Sequence, residues 1–297
     1  MATKDLTEKI LEDYNDVFAD IINGLLYDGN QKVKAESLVN SSVHSQYKSD
    51  DGILHEQERD VLKTWTEYDV ELALYGLENQ TKIEKMMPLR IAGYEGASYR
   101  SQFQRNLKRA VPVITLVLYF GEVHWEYPKT LKELMNIPDE LDEFVNDCKI
   151  HVFEVAWFSD EQIAKFTSDF KVVANFFAKK RRNKNYIPND TTEIKHVDET
   201  LKLLKVMTGD ARYEKVMSSE EGKVKNMCEV AERLENIGRT EGIETGRREG
   251  IITGRTEGED RLGTLISKLM TEGRMDDVKK AASDKAAREA LYKEFGI

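Results

Sequence analysis

At 297 residues, with 40% hydrophobic and 33% charged residues, the chain has room for one sizeable core plus appendages, and its polar excess can gather in a non-globular part. A formal net charge of −10 argues against a protein that coats phosphate with an overall basic surface. It does not exclude contact with nucleic acid, because local charge, not the chain average, meets phosphate.

In chain order, Leu6, Ile10, Tyr14, Val17, Ile21 and Leu25 recur at spacings of three and four, which predicts an amphipathic helix over 5–26 with an acidic polar flank. The N-terminus lacks the basic start and apolar centre of a signal peptide, so a cytoplasmic protein is expected. Residues 58–65 and 70–79 are short, rich in β-formers and separated by a polar turn, and read as an antiparallel hairpin. A long helix follows over 82–108, with Gly93 and Gly96 as points where it could kink. Residues 112–121 are apolar on both faces, as a central strand should be. The longest apolar stretch, Val111 to Phe120, is interrupted by Pro112 and falls far short of the roughly 20 residues that cross a bilayer, so no membrane association is expected. A connector over 128–138 with a short helix leads to another buried strand over 149–158, then to helices over 160–180 and 192–207. The order implies an α/β domain over 1–207, a mixed sheet flanked by helices, followed by a helical connector over 208–237.

The tail has its own grammar. Gly238, Gly242, Gly246, Gly250, Gly254 and Gly258 recur every four residues within 238–262. Glycine costs a helix roughly 1 kcal/mol relative to alanine. The repeat is therefore either a flexible charged linker or a helix whose slowly winding glycine stripe lets a second backbone approach, giving a homo-oligomer. Residues 263–297 read as a small helical hairpin.

The candidate chemistry lies in the strand hairpin. Asp60 opens the first strand and Glu78 closes the second, so the antiparallel return can bring both carboxylates to one end of the sheet. Leu72, Leu74, Gly76, Glu78 and Gln80 share a face by the two-residue period, so a carboxylate continues a mostly apolar stripe. Burying that charge is costly without a partner. A divalent cation, Mg²⁺ or a relative such as Mn²⁺ or Ca²⁺, held by Asp60, Glu78 and a backbone carbonyl at Asn79 would offset it. The alternative is an idle pair of acids neutralised by Arg59, Lys63 or Lys82. Cys148 and Cys228 form no disulfide framework or zinc cluster. The histidines are scattered, and no phosphate loop is present, so no nucleotide cofactor is expected. Local basic stretches occur at Arg100, Arg105, Lys108 and Arg109 and at 179–184.

The blocks ERDVLK (58–63), LENQT (77–81), MPLRIAGYEGASYR (87–100), VPVITLVLYFG with Trp125, FTSDF (166–170) and the glycine tail after MCEVAERLENIG (227–238) resemble, in order, those of the Rpn/YhgA-like recombination-promoting nucleases, labelled transposases, of the PD-(D/E)XK superfamily. The resemblance implies a restriction-endonuclease-like core with a C-terminal helical extension, and a metal-dependent endonuclease acting on DNA. Asp60 would be the PD-motif aspartate and Glu78-Asn79-Gln80 the E-x-K motif. No proline precedes Asp60, and Gln80 replaces a lysine that would orient water and offset phosphate charge. Lys82 is a substitute only if the strand continues that far. A first-helix acid often joins such a metal shell; Asp16 is the candidate, with Asp13 and Asp20 as competitors. Arg90, Tyr94 and Arg100 are candidate DNA contacts. The competing readings are an oligomeric DNA-binding scaffold with a weakened or inactive site, kept open by Gln80, and a transposase with an acidic triad on an RNase H-like fold.

Overall fold

The computed structural model describes residues 10–41, 44–48, 54–58, 60–68, 70–105, 107–219 and 222–297, with only the backbone of 44–48 and 54–58. The first expected helix is divided. A 3-10 turn, Leu11–Asp13, precedes α1 (Asn15–Leu26), and between them Tyr14 is extended, with ψ of 126°. Residues 5–9 of the expected helix lie outside the described residues.

The cause of the break is polar and comes from a distant strand. The Asp13 carbonyl, which a continuous helix would use for its own ladder, accepts from Lys63 Nζ at 2.8 Å. The same ammonium donates to Asn15 Oδ1, and the Asn15 amide donates to the carbonyls of Ala35 and Leu38. Lys63 is fully buried, so its charge is kept in the interior by this set of oxygens.

Strands β1 (Leu38–Asn40), β4 (Val61–Glu67), β5 (Val70–Gln80), β6 (Val113–Tyr119) and β7 (His151–Glu154) form one sheet in the order β1-β4-β5-β6-β7, while β2 (His44–Lys48) and β3 (Leu54–Glu58) pair separately. The β1–β4 and β4–β5 pairs are antiparallel and β5–β6 and β6–β7 parallel. The sheet is thus mixed, as the element order implies. Helix α2 (Met87–Gln104) starts later than expected because Pro88 occupies its first turn, where a missing N–H costs nothing; Gly93 and Gly96 do not interrupt it.

The two faces of the sheet are covered differently. On one, Met87, Ile91 and Tyr94 of α2 pack on Val117 and Tyr119 with Trp125 and Ile150. On the other, Phe120 meets Phe177 with ring centroids 5.0 Å apart. That phenylalanine belongs to α4 (Asp169–Arg182), which follows the short α3 (Asp160–Ile163). The expected helix over 160–180 is split because Ser168 caps α4, accepting from Phe170 N. Phe18, Ile21, Ile22, Phe170 and Val173 are fully buried, each contributing roughly 1.5–3 kcal/mol.

Helices α5 (Val197–Thr208) and α6 (Arg212–Met217) follow, and Val224, Met227 and Val230 are buried. Two compact units result, Met1–Leu234 and Glu235–Ile297. Helix α7 (Met227–Thr271) runs without a break through the whole glycine repeat. In the second unit, Leu265 and Leu269 of α7 cluster with Ala281 of α8 (Met275–Ser283) and Leu291 and Tyr292 of α9 (Lys285–Phe295). The expected hairpin is therefore two helices closed against the end of α7. Among the described residues no helix is long and apolar enough to cross a membrane.

Candidate active site

In the β4–β5 ladder Val61 lies opposite Leu77, so Asp60, one residue before β4, ends beside Glu78 and Asn79. Asp60 Oδ2 accepts from the backbone N–H of Asn79 at 2.8 Å. Of the Asn79 peptide bond to Glu78, then, the N–H is already committed to the aspartate.

Glu78 is only 1% exposed. Its Oε1 forms an ion pair with Arg90 Nη2, and the Gln80 amide lies at the long limit of hydrogen bonding, 3.5 Å from the same oxygen. Arg90 Nε donates to Tyr94 Oη at 2.7 Å, one helical turn on. Burial works against the Arg90 charge, but Glu78, Tyr94 and Asp60 more than offset it and hold the guanidinium above its ordinary pKa. Burial and the Glu78 charge push the Tyr94 phenol up, against Arg90. Arg90 and Tyr94 thus share the field of both motif carboxylates.

A third acid reaches this group, and it is not the expected one. Glu12, in the 3-10 turn, is fully buried, and neither carboxylate oxygen makes a hydrogen bond of normal geometry. Burial raises its pKa from 4.5 to about 7, and the Asp60 charge adds to that; its own backbone and the Asn79 side chain act in the opposite direction. The Asn79 Oδ1 is also buried without a hydrogen-bond partner.

Asp16 is elsewhere. It lies against Lys195 and His196, whose hydrogen bonds outweigh partial burial and keep its carboxyl below the ordinary range. Its rivals are also occupied: Asp13 accepts from the Ile10 N–H, and Asp20 accepts from the backbone and hydroxyls of Thr167 and Ser168. Asp20 therefore holds the loop before α4. Arg100 is exposed and sits ten residues beyond Arg90, about 15 Å along the helix axis. Lys82 is exposed beyond the end of β5 at Gln80, so it does not replace the missing lysine. Arg59 lies outside the described residues, and Lys63 is engaged by the turn that carries Glu12.

The break at Tyr14 is why Glu12 escapes a reading of the sequence. A continuous helix would put Glu12 on the polar flank, between the apolar positions 10 and 14. Lys63, fifty residues away, takes the Asp13 carbonyl at the point where the helix breaks and Glu12 turns inward.

Glu12, Asp60 and Glu78 are hard oxygen donors of the kind Mg²⁺ takes. As they stand, with Arg90 against Glu78, no three His, Cys, Asp or Glu among the described residues gather closely enough to hold a metal ion. The donor set nonetheless suits a cation, because the buried oxygens of Glu12 and Asn79 Oδ1 have no partner of normal hydrogen-bond geometry.

The fold and site define an α/β protein with a buried carboxylate group at one end of a strand hairpin, faced by an arginine from the following helix. Residues 54–205, just over half of the chain, match the family described as "Putative transposase, YhgA-like". The chain belongs to that family. The matched segment contains Asp60, Glu78, Gln80 and Arg90 but not Glu12 or the glycine repeat. Neither curated proteins nor solved structures give a match.

Proposed function

We propose that this protein is a divalent-cation-dependent DNA endonuclease that hydrolyses phosphodiester bonds during recombination or movement of mobile DNA. The observation that carries the reading is Glu12: a fully buried carboxylate beside Asp60 and Asn79, with no partner of normal hydrogen-bond geometry and a pKa that burial raises to about 7. At neutral pH such a group needs a proton or a cation.

Glu12, Asp60 and Glu78 would hold the ion, which in such sites makes water nucleophilic near pH 7 and stabilises charge developing on phosphate. Gln80 contributes an amide that can hydrogen-bond to water or phosphate oxygen but carries no charge. Arg90, with its side chain 40% exposed, is the group a phosphate could reach, whereas Tyr94, expected as a DNA contact, is buried in the core and serves to hold the guanidinium. The family description supports DNA as the substrate.

Purified protein incubated with supercoiled plasmid, with Mg²⁺ or with EDTA, tests this. Nicked and linear DNA should form only with Mg²⁺ and only with the wild-type chain, not with D60A. Gln80 favours a second reading, a DNA-binding scaffold without cleavage. Plasmid that is shifted in a gel but left intact at all Mg²⁺ concentrations would support that reading and refute the first.

A further inference from the structure

Glu12 lies near Asp60, and Asp60 and Glu78 stand at the same end of the hairpin, so an endonuclease that docks DNA here needs positive charge from the protein as well as from an ion. Gln80 cannot supply it, and Lys82 lies beyond the strand. Among the described residues, Arg90 is a cation that feels both carboxylates, paired with Glu78 and in the field of Asp60. Resting on the endonuclease reading above, we propose that Arg90 has two successive partners: it neutralises Glu78 in the ion-free protein and, released from Glu78 on ion binding, pairs with a phosphate of the DNA.

The geometry suits an exchange. Glu78 is almost wholly buried whereas the Arg90 side chain is 40% exposed, so the guanidinium lies at the boundary between the carboxylate and solvent. Its Nε is held by Tyr94 Oη and its carbon lies 5.5 Å from the Tyr94 ring centroid. Tyr94 itself is 3% exposed and built into the core. The stem is thereby fixed while the terminal nitrogens, one of them on Glu78, can change partner. A guanidinium keeps its charge throughout and presents a fork that matches carboxylate and phosphate alike.

The two roles predict effects of opposite sign. In R90M, which keeps an apolar stem without charge, Mn²⁺ measured by calorimetry at pH 8 without DNA should bind about fivefold tighter, because a competing exposed-side ion pair is gone. Cleavage of supercoiled plasmid at saturating Mn²⁺ should fall about 100-fold, the usual effect of removing one donor to a developing oxyanion. R90K, a point charge without the fork, should recover part of the rate and bind Mn²⁺ close to the wild-type affinity; it also serves if R90M fails to fold.

E78Q separates this proposal from the reading beneath it. Loss of Mn²⁺ binding in E78Q upholds the site. With that result, unchanged or weaker Mn²⁺ binding in R90M, or unchanged cleavage, overturns the role of Arg90 alone. Equal Mn²⁺ affinity in E78Q and wild type overturns the site and the proposal together.

Discussion

Glu12→Gln converts the buried carboxylate into a neutral amide of nearly the same shape. The wild-type group has its pKa raised from 4.5 to about 7. A raised acid contributes stability that is fully present below its unfolded pKa and lost as pH rises through its folded pKa. The loss therefore falls between about pH 4.5 and 7, and two and a half units at about 1.4 kcal/mol each give a total of about 3 to 4 kcal/mol. The amide does not titrate. Urea unfolding of both proteins in EDTA should show E12Q gaining about 2 to 3 kcal/mol relative to wild type between pH 5 and pH 8. Adding Mg²⁺ at pH 8 should stabilise the wild type and do much less for E12Q, since a ligand bound only by the native state shifts the transition by mass action. A gap between the two proteins that is the same at both pH values would refute a buried, proton-binding Glu12. Equal stabilisation of both by Mg²⁺ would remove Glu12 from the ion site.

Asp60→Ala should abolish Mg²⁺-dependent plasmid cleavage while far-UV circular dichroism stays unchanged; full activity in a folded D60A protein would put the ion elsewhere. Lys63→Met leaves the Asp13 carbonyl and the Asn15 and Asn40 side-chain oxygens without their buried donor, and should cost about 2–3 kcal/mol in urea unfolding, with Mn²⁺ affinity falling because the turn bearing Glu12 loosens. An unchanged midpoint and affinity would show that the ammonium does not anchor the turn. For the tail, we propose self-association of α7 along its glycine stripe. A Cβ at Gly246, Gly250 or Gly254 would meet nothing within 4 Å, so alanine there should stabilise a lone helix by about 1 kcal/mol each but weaken an assembly that needs close backbones. Light scattering of the full chain, the triple alanine variant and a chain ending at Leu234 decides this: oligomer, weakened oligomer and monomer are expected, and equal monomeric masses would end the proposal. The cut belongs after Leu234, not near 207, because Val224, Met227 and Val230 are buried.

Much of the architecture follows from the sequence because it is written in local periodicity. The run at 112–121, apolar on both faces, reads as a strand inside a sheet, and it contains β6, between β5 and β7. The two-residue alternation of β5 put Glu78 on a largely apolar stripe, and the short turn before it brought Asp60 to the same end. The four-residue glycine register fixed where a helix would be odd, and α7 runs through it.

What the tertiary structure alone decided are the choices made by polar groups from distant segments. Asp13, Asp16 and Asp20 look more suitable than Glu12 on a helical wheel, yet Ile10, the pair Lys195 and His196, and the loop at Thr167 and Ser168 claim them one by one. Glu12 reaches the site because Lys63 takes a helical carbonyl and stops the helix at Tyr14. Arg90 faces Glu78 because Pro88 sets the start of α2, and with it which residues of the helix face β5. Periodicity reports which face of an element is apolar. It carries no record of which buried donor will meet which acceptor across fifty residues, because that depends on distances that exist only after the sheet and helices have packed.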